Sequence, residues 1–114
     1  FSHQTAAAIW GAPLPLVVDE RGEPAGAAGL ALHVCALGHI APPRTAGIAR
    51  HRSRASMTAV CEHDGFRVAN PAATWVSLAA DLRAVDLVAA GDFFCREWKP
   101  FYLSWILYWA VCRY

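Results

Sequence analysis

The sequence is short of charge and short of long apolar runs at the same time. Only 17% of its 114 residues are charged, nearly balanced at a net charge of +1, while 56% are hydrophobic. That balance excludes the disordered class and describes a chain that folds as one small domain or part of one. The longest apolar stretch, 101–112, falls short of the ~20 residues a helix needs to cross a bilayer. Cysteine is sparse and scattered: Cys35, Cys61, Cys95 and Cys112 form no CxxC pair, which excludes a zinc ribbon and a disulfide-dense secreted scaffold. A reducing cytoplasm is therefore the default compartment. The opening Phe1-Ser2-His3-Gln4 has neither a basic head nor the apolar run of a secretory signal, and it reads as a truncated or processed start. There is no internal repeat, and no low-complexity tract beyond a bias to alanine and glycine.

What is present divides into short elements. Residues 2–10 read as a helix, with Ser2 as N-cap, Ile9 and Trp10 facing the core, and Gly11, Pro13 and Pro15 as the stop. Residues 18–29 hold turn formers and charges without an apolar period, so a loop is expected. Residues 30–37 alternate, with Leu32, Val34 and Ala36 on one face and His33 and Cys35 on the other. A second strand over 47–53 puts Ile48, Arg50 and Arg52 on one side and Ala49, His51 and Ser53 on the other, and its weak apolar content suits a sheet edge. Asp64-Gly65 lies between the β-prone runs 58–63 and 66–69, a strong hairpin signal because both residues tolerate positive φ. Asn70-Pro71 then supplies an N-cap and a proline at the first helical position.

The helical region that follows carries two apolar stripes. Trp75, Leu78, Leu82 and Val85 form one; Leu87, Val88, Gly91, Phe94 and Cys95 form another, rotated by roughly 160° at about 100° per residue. One straight helix cannot bury both, so a break is expected within 82–86. Residues 98–114 change character again, being rich in tryptophan and tyrosine and almost free of charge.

Four strings in this order resemble a known family: the opening Ser2-His3-Gln4-Thr5-Ala6-Ala7-Ala8-Ile9-Trp10-Gly11, the strand Leu32-His33-Val34, the pair His51-Arg52, and the junction Asp64-Gly65-Phe66-Arg67-Val68-Ala69-Asn70-Pro71-Ala72-Ala73-Thr74-Trp75. Together they resemble the central segment of actinobacterial AbiEi-antitoxin-like proteins, many of which carry a DUF559 endonuclease-like domain. Residues 87–94 extend the likeness, which covers 1–97. The resemblance implies a component of a bacterial defence or toxin–antitoxin-like system, with an upstream winged helix to bind DNA and a downstream nuclease-like domain. Neither flanking domain lies within this sequence. After Glu97 the chain departs from the family pattern into Trp98-Lys99-Pro100 and the aromatic tail, as a frameshifted or artificially ended reading frame would produce.

Several residues invite chemistry. Arg44, Arg50, His51, Arg52 and Arg54 lie in a stretch with no acid between Glu23 and Glu62, a positive patch suited to phosphate contacts. The plainer account is a solvated edge strand whose charges block edge-to-edge pairing. His33 and Cys35, like Cys61 and His63, are spaced i, i+2, which would assemble a Cys2His2 zinc site if their strands were neighbours. That spacing matches no known finger and buried cysteines commonly act as small hydrophobes, so no metal or other cofactor is expected. Ser2, His3 and Asp19 make a nominal triad, but no serine sits in a Gly-x-Ser-x-Gly elbow. Asp81, Asp86 and Asp92 are spaced by five and six residues, off a common helix face, and mark the solvent side. Trp75 reads as a core anchor.

The expectation is an α+β domain: a small, mainly antiparallel sheet of about four strands with an N-terminal helix and a broken C-terminal helical pair over 1–97, followed by an aromatic tail over 98–114. Its expected role is a cytoplasmic, non-catalytic scaffold or interaction segment, joining a DNA-binding winged helix to a nuclease-like domain and offering a surface to a protein partner. The alternatives are a small protein held at a membrane interface by its tail, disfavoured by few basic residues and short apolar length, and a free-standing nucleic-acid-binding module using Arg44, Arg50, His51, Arg52 and Arg54.

Overall fold

The computed structural model describes residues 1–17, 21–22, 31–54 and 58–97. Most of the expected loop over 18–29 and all of the tail over 98–114 lie outside them, and so does the membrane-interface role assigned to that tail. The elements run α1 (His3–Trp10), β1 (Leu32–Leu37), β2 (Ile48–Ser53), β3 (Val60–His63), β4 (Phe66–Ala69), α2 (Pro71–Leu78) and α3 (Ala84–Glu97). This is the expected α+β architecture, with an N-terminal helix, four strands and a helical pair.

The strands fall into two pairs. β3 and β4 are an antiparallel hairpin in which Val60 faces Ala69 and His63 faces Phe66. Its turn places Asp64 at φ 49° and Gly65 at φ 78°, the two positive values a tight type I′ turn demands. β1 and β2 pair in parallel, with Leu32 opposite Ile48 and Leu37 opposite Ser53. A parallel partner requires the chain to return to its starting end, and the extended segment through Pro42-Pro43 makes that return without a helix among residues 38–47. The expectation of a mainly antiparallel sheet is therefore refined: one pair is antiparallel and the other parallel.

Phe1 and Ser2 join the two pairs. The Phe1 nitrogen donates to the Arg67 carbonyl at 2.7 Å, and the Phe1 carbonyl accepts from Ala69 N–H at 2.9 Å. One residue on, Ser2 N–H donates to the His33 carbonyl of β1 at 3.0 Å. Hydrogen bonds thus run from β4 through these two residues to β1.

The core lies where the helices meet β4. α1 turns Ala6, Ala7 and Trp10 inward, β4 contributes Val68 and Ala69, α2 Leu78, and α3 Ala90 and Phe94. Burying Leu78 and Phe94 contributes about 1.5–3 kcal/mol each. Trp10 also donates its indole N–H to the Ala69 carbonyl at 2.9 Å, and buried Thr74 donates its hydroxyl to the same oxygen at 2.9 Å. α1 ends at Gly11, φ 78°, where Ala12 N–H reaches back to the Ala7 carbonyl, a Schellman closure.

The break between α2 and α3 falls at residues 79–83, overlapping the start of the expected 82–86. Asn70 caps α2, accepting from Ala73 N–H at 2.8 Å, with Pro71 at the first turn. Trp75 is partly buried against the core and its indole N–H donates to the Leu87 carbonyl at 2.9 Å, tying α2 to α3. Both stripes are narrower than their sequence patterns: Leu87, Gly91 and Phe94 of the second turn inward together with Ala90, whereas Val88 and Cys95 of the second and Val85 of the first are exposed. No helix among the described residues is long and apolar enough to cross a membrane.

Candidate functional site

The two faces of β2 carry different chemistry. Arg50 and Arg52 point outward and are exposed, while His51 and Ser53 are half-buried on the other side. Alternation sets the two arginines about 6.6 Å apart along the strand. Arg54, just beyond the strand end, and Arg44, in the β1–β2 connection, are also exposed. Among the described residues none of these four arginines makes an ion pair, whereas Arg83 and Arg96 pair with Asp86 and Asp92 on α3 at 3.0 and 3.2 Å. Within the described residues β2 pairs only with β1, so its arginines stand on an edge strand of that pair. The fifth residue of the expected patch, His51, does not share this outward face.

His51 instead belongs to a cluster with His3 and His33. The register sets Cys35 opposite His51, so His33 and His51 lie diagonally on one face of the parallel pair. α1 is held over that face by two bonds at a single residue: Ser2 N–H donates to the His33 carbonyl, and the Thr5 hydroxyl accepts from His33 N–H at 2.8 Å. These bonds deliver His3 onto the pair. The His3 ring stacks on His51 with centroids 3.6 Å apart, and His33 Nδ1 lies 2.9 Å from His51 Nε2. Potential ligand atoms of all three lie within 4.8 Å of one another.

The local backbone and electrostatics are unusual for surface histidines. His3 sits at φ 49°, a left-handed conformation that costs a non-glycine residue on the order of 1 kcal/mol. Ser2 occupies the N-cap position but makes no side-chain cap; its hydroxyl lies 3.0 Å from His3 Nδ1. Burial, reinforced by His51 and His33 and opposed by Asp81, pushes the His3 imidazole down to about 4. Burial and His51 lower His33 as well, again against Asp81. Both rings are therefore neutral at physiological pH, the state in which a ring nitrogen offers its lone pair.

The zinc set suggested by spacing, His33, Cys35, Cys61 and His63, is not brought together. Its strands β1 and β3 belong to different pairs. Cys61 Sγ approaches the Val68 carbonyl at 3.7 Å, Cys35 Sγ the Ala36 carbonyl at 3.8 Å, and His63 packs on Trp10 with ring centroids 4.1 Å apart. Burial raises both thiols, the mark of unreactive cysteines. His3 and His51 were assigned elsewhere because the three histidines lie thirty and eighteen residues apart. Only the parallel register and the position of α1 unite them. The groove between the strand pairs, lined by Phe1, Cys35, Ile40, Thr58, Val60 and Arg67, holds about 200 Å3, below the roughly 300–1,000 Å3 of small-molecule pockets.

No family model, curated protein or solved structure matches the chain. The likeness to AbiEi-antitoxin-like proteins rests on the local strings quoted above.

Proposed function

We propose that this chain is a non-catalytic interaction domain of a defence-type or toxin–antitoxin-like regulator, and that its edge strand β2 supports DNA contact by a neighbouring module. The observation that carries the reading is the outward row of Arg50 and Arg52 on β2, extended by Arg54, with no ion pair to any of them among the described residues. Arginines held on a rigid strand contact phosphate oxygens with little further loss of side-chain freedom, and such contacts position a protein on a duplex without reading its sequence. The near-neutral net charge of +1 fits an accessory contact better than a self-sufficient binder. Described cysteines Cys35, Cys61 and Cys95 are all free, which accords with a reducing cytoplasm.

The test is fluorescence anisotropy with a labelled non-specific duplex at low salt. Weak, saturable binding is expected, and the double charge reversal Arg50→Glu/Arg52→Glu should weaken it by more than about tenfold. Both positions are exposed, so the variant should keep its thermal stability. Unchanged affinity in the variant contradicts the role given to β2, and a tight complex in the wild type would instead favour a free-standing nucleic-acid-binding module.

A further inference from the structure

We propose that His3, His33 and His51 form a three-histidine site for a divalent transition-metal ion of the zinc class, which clamps the start of α1 onto the β1–β2 pair. The case starts from placement. Three imidazoles from three elements converge with candidate ligand atoms within 4.8 Å of one another, and imidazole nitrogen is a preferred ligand for zinc, copper and nickel.

The surrounding bonds say which atoms would ligate. His3 Nδ1 is engaged by the Ser2 hydroxyl at 3.0 Å, leaving Nε2 for the ion. This is the usual division of a ligating histidine, with one ring nitrogen on the metal and the other held by a polar neighbour. His33 Nδ1 and His51 Nε2 already face each other at 2.9 Å. Two nitrogens on a tetrahedral ion at about 2.05 Å each stand roughly 3.3 Å apart, so that pair must open by only about half an ångström. Coordination also requires the His3 ring to turn out of its stack on His51, so that its lone pair converges with the other two.

The protein has placed its groups as a cation site would require. His3 holds a strained φ of 49° at the point where its ring reaches the cluster. Three protein ligands leave one position of a tetrahedral ion open to water.

Titration of the whole chain with Co2+, and then Zn2+ in competition, tests the site. The expected result is one ion per chain and visible d–d absorption of tetrahedral intensity, without a thiolate charge-transfer band. Excess Zn2+, about a hundred times its Kd, should raise Tm by roughly 10 °C. His33→Gln and His51→Gln should each weaken binding by more than about 100-fold, and Ser2→Ala by about tenfold. Circular dichroism reports whether these variants fold, and Cys61→Ser and His63→Gln serve as folded controls with unchanged affinity. Loss of Co2+ absorption in the Cys61 or His63 variant, or full binding after removal of His33 and His51 together, overturns the proposal. So does the absence of 1:1 binding to the folded wild type.

Discussion

Gly91 and Trp75 touch where α2 crosses α3, and there is no room between them for a side chain. A Cβ at Gly91 would lie 2.8 Å from Trp75 Nε1, the same atom that donates to the Leu87 carbonyl. That indole cannot move aside without giving up its bond. Alanine would gain up to about 1 kcal/mol of helix propensity, against about 1–3 kcal/mol for overpacking and a lost hydrogen bond. Gly91→Ala is therefore expected to lower stability by roughly 1–2 kcal/mol in urea unfolding; an unchanged or higher midpoint would show that α3 yields at this crossing. Reading Gly91 as part of an apolar stripe located it correctly on the inner face. The reason for glycine there appears only when Trp75 is placed against it.

His3 makes a second prediction at the residue scale. Its folded imidazole titrates at about 4, against an ordinary value of 6.5, so between those values the unfolded chain holds a proton that the folded chain does not. Stability is then complete above about pH 6.5 and declines as the pH falls toward 4. His33, lowered by the same causes, acts in the same direction. With metal removed by a chelator, denaturation midpoints should fall more steeply across this window in the wild type than in His3→Gln. Parallel pH profiles for the two proteins would contradict the account.

At the scale of elements, the hairpin and its junction with α2 were the most legible parts of the chain, because their chemistry is local. Asp64-Gly65 forms the expected turn, and Asn70-Pro71 the expected cap and first turn. Removing the cap by Asn70→Ala should cost about 1 kcal/mol, or roughly 4–8 °C in Tm. Asn70→Asp should retain most of it, since aspartate also accepts from Ala73 N–H; equal loss in both variants would mean that the cap bond is not what matters. The helix break was legible for a related reason, since two stripes cannot share one straight helix. The outward turn of Val85 and Val88 was not: both satisfy the helical period, and only packing into the shared core selects Ala90 and Phe94 instead.

At the scale of the molecule, legibility fails where distant segments meet. The parallel pairing of β1 with β2 leaves no local signature, since the connection between them lacks the helix that usually announces a crossover. The stitching of the two strand pairs by Phe1 and Ser2 is equally invisible in the sequence. Those two features create the candidate sites. They point Arg50 and Arg52 outward from β2, and they gather His3, His33 and His51 on the covered face. The arginine run itself was apparent from the absence of acids around it, but its division between two faces required the strand.

The salt dependence of duplex binding tests the central claim most directly. If Arg44, Arg50, Arg52 and Arg54 all meet phosphates, log K should fall against log salt with a slope of about −3.6, from four contacts at about −0.9 each. Arg50→Glu/Arg52→Glu should make that slope shallower by about 2. A wild-type slope near zero, or an identical slope in the variant, would contradict a phosphate-contacting role for this strand edge.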